Sequence, residues 1–143
     1  MVGVDVAQPA RLLARSRVHE LGLTNCTIRA ADLRELPFDD QAFDLVILDE
    51  VLTSDVETAD GLAEALRVLR PGGRLLIIDR IRPVASQLEA RAGDALADNQ
   101  LHVALAAAGA RIESRRWLPG RAPDYALFSA APVYSMPRTG SDG

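Results

Sequence analysis

Four carboxylate positions carry most of the chemistry this sequence offers: Asp5, Asp32, the adjacent pair Asp49 and Glu50, and Asp79. Each follows a short apolar run: Val2-Gly3-Val4, Cys26-Thr27-Ile28, Leu45-Val46-Ile47-Leu48, and Leu75-Leu76-Ile77-Ile78. If those runs are strands of one parallel sheet, the acids line up along its carboxyl edge, where open α/β sheets bind ligands. A carboxylate there can accept two hydrogen bonds from a ribose diol, and an acid one strand further out can reach an adenine amino group. The competing role for any single acid is to cap a turn or helix, a position that favours Asp on general grounds. Asp5 and Asp32 together read as ligand-binding, and Asp79 reads first as a cap.

The elements that must position these acids are organised around Phe43 to Glu50, an apolar run that closes on two carboxylates. A continuous run of this kind reads as a strand buried on both faces, the mark of a parallel sheet sandwiched between helices. Ahead of it, Val2 to Asp5 is a short strand. Pro9 then suits the first turn of a helix with Ala10, Leu13, Ala14, Val18 and Leu21 on one face, ending at Gly22. Asn25 to Arg29 is a second strand, and Pro37 with Asp39-Asp40 turns the chain into the organising strand.

After Glu50, Ala59, Leu62, Ala63, Leu66 and Leu69 mark a helical face that stops at the turn Arg70-Pro71-Gly72-Gly73. Leu75 to Asp79 is the next buried strand. In residues 80–97 a short helix over 84–91 is the expectation, and Asp98 opens a clearer helix with Leu101, Ala104, Leu105 and Ala108 on one face. Arg111 to Leu118 and Asp124 to Ala130 read as a terminal hairpin around Pro119-Gly120. The sum is an α/β fold: a Rossmann-like, mostly parallel sheet with helices on both faces and a C-terminal antiparallel strand pair. Residues 1–131 form the domain, and 132–143, rich in turn formers, form a disordered tail.

Composition narrows the function classes. The 143 residues are 48% hydrophobic and 25% charged, with a net charge of −4. That balance argues against nucleic acid or an anionic membrane surface as partner and favours a small molecule. No apolar run reaches the roughly 18 residues of a membrane span, and the N-terminus has no secretory pattern, so the expected location is cytoplasmic. Cys26 is the single cysteine; it allows no intrachain disulfide and no cysteine-based metal cluster, and reads as a small buried hydrophobe. No metal site is expected. His19 lies among charged residues and reads as solvated, while His102 is open between a surface residue and a substrate-facing base. Trp117 reads as packing, and Arg115, Arg116 and Arg121 as a solvated basic cluster with the option of receiving an acidic substrate group.

Several stretches together resemble the class I S-adenosylmethionine-dependent methyltransferases, specifically the small-molecule group typified by quinone-biosynthesis methylases. They are Val2-Gly3-Val4-Asp5, Asp32-Leu33-Arg34-Glu35-Leu36-Pro37-Phe38, Phe43 to Leu48, Ala65 to Leu75 with its Arg70-Pro71-Gly72-Gly73 turn, and the helix ending Ala107-Ala108-Gly109. The resemblance implies S-adenosylmethionine as cofactor and methyl transfer to a small molecule. It implies that Asp5 binds the ribose hydroxyls, Val6 packs on the adenine, Asp32 meets the adenine amino group, the Leu33 backbone meets the ring, and Asp49 lies beside the methionine part.

The sequence also departs from that family. A first strand and a glycine-rich loop precede the segment that here begins at Val2, and Gly-x-Gly occurs nowhere in the chain. The expectation is therefore an N-terminally truncated fold whose central strand is missing, leaving two strands with unpaired backbone groups. Three outcomes are open: the two strands pair directly, a second copy fills the gap, or the natural protein is longer. A homo-oligomer is the expected state. The alternative to an enzyme is a non-catalytic methyltransferase-like fragment serving as a dimerisation or regulatory module. A nicotinamide dinucleotide enzyme, with Asp5 on the ribose, also needs the absent glycine loop.

Overall fold

A computed structural model of the chain describes residues 1–50, 58–82, 96–118 and 125–133. In chain order the elements are β1 (Val2–Asp5), α1 (Gln8–Glu20), β2 (Thr27–Ala30), β3 (Phe43–Asp49), α2 (Thr58–Arg67), β4 (Leu69–Arg82), β5 (Leu96–Ala97), α3 (Asp98–Ala107), β6 (Ala110–Trp117) and β7 (Tyr125–Pro132). The expected helix over 84–91 and the tail from 134 onward lie outside the described residues.

The strands form two sheets. β1 and β2 pair in parallel, with Asp5 opposite Ala30. The second sheet runs β3-β4-β7-β6, with β5 beside the end of β4. Within it β3 and β4 are parallel, whereas β7 is antiparallel to both β4 and β6. This is the mixed α/β architecture expected from the sequence. β1 and β3 do not pair with each other, and among the described residues no strand lies between them.

The core lies where α2 and α3 meet the second sheet. Alternation sets it on β7, where Ala126, Phe128 and Ala130 are buried between half-buried neighbours, and on β4, where Leu75 and Ile77 are buried. Leu62 and Ala65 of α2 and Leu101 and Leu105 of α3 complete the cluster. A buried side chain the size of Phe128 stabilises such a core by about 1.5–3 kcal/mol. On α2 the inward face takes Ala65, while Ala63 is exposed.

Two local expectations are corrected. The Arg70-Pro71-Gly72-Gly73 turn does not separate helix from strand but is a bulge within β4. Phe43 pairs with Leu69 and Leu45 with Arg74, so the extra residues on β4 loop out, helped by Gly72 at φ 76. Nor is β3 buried on both faces: Leu48 is buried, but Leu45 and Ile47 are 48% and 49% exposed. Among the described residues β3 is an edge strand, paired only with β4. α1 packs chiefly on β1 and β2 and has no buried residue.

Candidate functional site

The gap forms a cleft of about 740 Å3 walled by β1 on one side and β3 on the other. Its lining extends past the carboxyl ends of both strands, to Asp5 and Val6 and to Asp49 and Glu50, and takes in the segment from Ala31 to Leu36. All five sequence-derived cofactor positions, Asp5, Val6, Asp32, Leu33 and Asp49, therefore line one cavity. Asp79 is not among them. It is fully buried at the end of its run, and its Oδ1 accepts the backbone N–H of Arg80 at 2.8 Å, in keeping with a local capping role.

Asp5 leaves β1 exposed, and its Oδ1 accepts the backbone N–H of Ala7 at 2.7 Å. That bond turns the chain into α1, whose first turn carries Pro9. The Arg11 guanidinium donates to the backbone carbonyls of Asp5 and Val6 at 3.0 and 2.7 Å, fixing the same corner. Val6 stands 68% exposed on the rim.

Asp32 is held by a neighbour that the sequence reading did not single out. Arg34 places Nε 3.1 Å from Oδ1 and Nη2 2.8 Å from Oδ2 of Asp32, and its backbone N–H donates to Oδ1 at 2.9 Å. The Arg34 side-chain bonds first, and its backbone N–H second, lower the Asp32 pKa from 3.8 to about 2. The arginine two residues beyond the acid was the available signal, since a tight turn brings such residues together. The turn exists because Glu35 N–H donates to the Asp32 carbonyl at 3.1 Å.

The floor of the cleft is pinned from α2. Leu36, which lines the cavity, donates its backbone N–H to Glu64 at 2.8 Å. Arg67 binds Glu64 through Nε at 2.6 Å and Nη2 at 2.8 Å, and also reaches the carbonyls of Leu36 and Phe38 at 3.0 and 2.9 Å. Leu33 packs against Gly61 of α2, where a Cβ would stand 2.8 Å from its Cδ2. A glycine is thus required there for close approach.

At the opposite rim, Glu50 adopts φ 54 and accepts a hydrogen bond from the Tyr125 hydroxyl on β7. His19 and His102 are exposed on α1 and α3, and neither lines the cleft. Arg115 lies over the Trp117 ring, 5.4 Å from its centroid, on the exposed face of β6. Cys26 is a free, partly buried thiol. Among the described residues no cluster of three His, Cys, Asp or Glu side chains is placed to hold a metal, and no helix is long and apolar enough to cross a membrane.

A crevice reaching past the carboxyl ends of the strands lies where open α/β sheets bind their ligands. More specifically, residues 1–77 match the methyltransferase domain family, and the chain belongs to it. S-adenosylmethionine is the methyl donor of that family. The chain is 34% identical over 89 residues to the ubiquinone/menaquinone biosynthesis C-methyltransferase UbiE of Idiomarina loihiensis, covering 62% of this chain and 36% of that protein. It is 49% identical over 53 residues to the demethylmenaquinone methyltransferase of Clavibacter sepedonicus, covering 37% of this chain and 22% of that protein. The chain thus spans about a third or less of these relatives.

Among solved structures, the [4+2]-cyclase SpnF aligns over 93% of this chain and 66% of its own, with TM-score 0.78 and 24% identity. The mitomycin 7-O-methyltransferase MmcR aligns over 92% of this chain and 41% of its own, with TM-score 0.72 and 24% identity. These likenesses establish the fold. That one such structure is a cyclase shows that the fold by itself does not choose the reaction.

Proposed function

We propose that the chain is the donor-binding part of a C-methyltransferase that carries a methyl group from S-adenosylmethionine to a small hydroxylated or quinone-type ring. The observation that carries this reading is the single cleft of about 740 Å3 onto which Asp5, Asp32, Leu33 and Asp49 converge. Its volume falls within the range of about 300–1,000 Å3 usual for small-molecule sites.

The residues present fit the donor. Asp5 spends one carboxylate oxygen on the Ala7 N–H, which leaves the other to accept from a ribose diol. Val6, Leu33 and Leu36 offer apolar surface to a flat base, and Asp32, ionised at any physiological pH beside Arg34, can accept from an adenine amino group. Asp49 stands at the far end, beside the amino-acid part. When bound, the donor supplies a sulfonium-activated methyl group. The chain's own residues bind and orient it, which is the main demand of in-line methyl transfer; no side-chain base is assigned.

A second reading is favoured by the edges of β1 and β3, which no strand covers among the described residues: a non-catalytic methyltransferase-like module that associates through them. Free edges promote association, which supports a homo-oligomer.

Calorimetric titration with S-adenosylhomocysteine, combined with the mass in solution, separates these readings. Micromolar binding that is lost in Asp5→Asn supports the donor site, because Asn still accepts the Ala7 N–H while its amide nitrogen cannot accept from a ribose. Absence of binding by a folded oligomer selects the module.

A further inference from the structure

Helix α1 buries no residue, yet two of its arginines, one turn apart, bind backbone oxygens of the strand pair it packs on. Arg15 donates through Nη2 to the Ile28 carbonyl of β2 at 3.0 Å. Arg11 donates through a single nitrogen, Nη1, to two consecutive carbonyls, that of Asp5 at 3.0 Å and that of Val6 at 2.7 Å. A cation near the N-terminus of a helix is opposed by the macrodipole, and the first turn of α1 carries no acid to offset it. The bonds to Asp5 and Val6 are what Arg11 gains in that place.

Asp5 keeps its place at the end of β1 without Arg11. It pairs with Ala30 in the β1-β2 ladder, and its carbonyl also accepts the Ala31 N–H at 3.4 Å. The turn that follows is another matter. A nitrogen that bridges the carbonyls of residues 5 and 6 holds the peptide between them, and the bond from the Ala7 N–H to Asp5 Oδ1 at 2.7 Å spans the same turn. The direction of the carboxylate is set by that turn. Both Arg11 bonds go to main-chain oxygens, and Arg11 is not among the residues lining the cleft. Resting on the proposed reading of the cleft as a donor site, we infer that Arg11 is the positioning residue for the ribose: it fixes the turn that aims the Asp5 carboxylate at the diol. Arg15 makes the same kind of bond from the same helix, but to β2 and outside the cleft, and so serves as the control.

The test titrates the whole chain by calorimetry with two probes, S-adenosylhomocysteine and its 2′,3′-dideoxy analogue, which differ only in the ribose hydroxyls. The wild-type chain binds the first about tenfold or more tightly than the second. Arg11→Met lowers affinity for S-adenosylhomocysteine about tenfold and for the dideoxy analogue no more than about twofold, so the preference collapses. Arg11→Lys, which brings a point charge without the planar fork, retains part of the preference. Arg15→Met keeps the full preference, even where it lowers the melting temperature. Equal losses for both probes in Arg11→Met, an undiminished preference there, or a lost preference in Arg15→Met overturns the inference. Should Arg11→Met fail to fold, Arg11→Lys carries the test: a reduced preference supports the inference and a wild-type preference overturns it. A wild-type chain that binds both probes equally overturns it while sparing the cleft as a site for the base. Binding of neither removes that reading and the inference together.

Discussion

Arg67 and Glu64, one turn apart on α2, meet side by side, Nε to Oε1 at 2.6 Å and Nη2 to Oε2 at 2.8 Å. The same Glu64 oxygen takes the Leu36 N–H at 2.8 Å, so an ion pair on a helix also anchors the floor of the cleft. Truncating one partner leaves the other's polar groups short of partners in a half-buried place, which costs more than the pair contributes. Arg67→Met is therefore expected to destabilise the chain by about 2–3 kcal/mol in urea denaturation. Asp40→Ala removes only the exposed arm of the network, Arg67 Nη1 to Asp40 at 2.7 Å with the acid 75% exposed, and changes stability by less than about 1 kcal/mol. Equal effects from the two variants contradict the assignment of Glu64 as the anchor.

The acid limb of stability follows from two carboxyls. Glu64 is held below its ordinary 4.5, chiefly by the Arg67 side chain and also by the Leu36 N–H, and Asp32 is lowered to about 2 by Arg34. In both the folded pKa is depressed, so the unfolded chain takes up protons first as pH falls. The stabilisation is complete above the ordinary values of 3.8 and 4.5 and drains away toward pH 2. Melting temperatures measured from pH 7 to pH 2.5 are expected to fall less steeply in Glu64→Gln than in the wild type. Parallel curves contradict this.

Gly61 offers a steric test of the cleft wall. A Cβ there stands 2.8 and 2.9 Å from Cδ2 and Cγ of Leu33, so Gly61→Ala must push Leu33 toward the cavity. The gain of about 1 kcal/mol in helix propensity is offset by overpacking of about 1–3 kcal/mol. The expected outcome is a net loss near 1 kcal/mol together with weaker binding of S-adenosylhomocysteine by calorimetry. Unchanged affinity separates Leu33 from the donor site.

Leu45 and Ile47 report whether the gap is open in solution. Each is about half exposed on β3, so Leu45→Gln or Ile47→Gln costs less than about 1 kcal/mol in a monomer. Phe128→Ala, in the core, costs about 3–5 kcal/mol. If a second copy covers β3, the Gln substitutions instead cost as much as a core change and lower the mass in light scattering.

Much of this was legible in the chain. The alternation of Tyr125 to Ala130, the helical spacing of Leu101 and Leu105, and the runs ending at Asp5 and Asp49 each record a local burial pattern, and local patterns survive in sequence. Asp5, Asp32 and Asp49 line one cleft because each lies at or just past a strand end. What escaped was set by neighbours distant along the chain. The exposure of Leu45 and Ile47 depends on the edge position of β3 in the sheet, the bulge at Arg70 to Gly73 depends on the register of β3 against β4, and the Tyr125 bond to Glu50 joins residues 75 apart. Local propensity carries none of that information.

Among the described residues no backbone ladder joins the β1-β2 pair to the five-stranded sheet, so their strands form two hydrogen-bonded bodies linked through residues 31–42. Amide exchange in such a body can proceed by local opening well below the global unfolding free energy. A ligand that touches Asp5 on one body and Asp49 on the other acts as a staple between them. Binding is then expected to slow exchange in β1 and β2 more than in β4 and β7, and to merge two cooperative units into one.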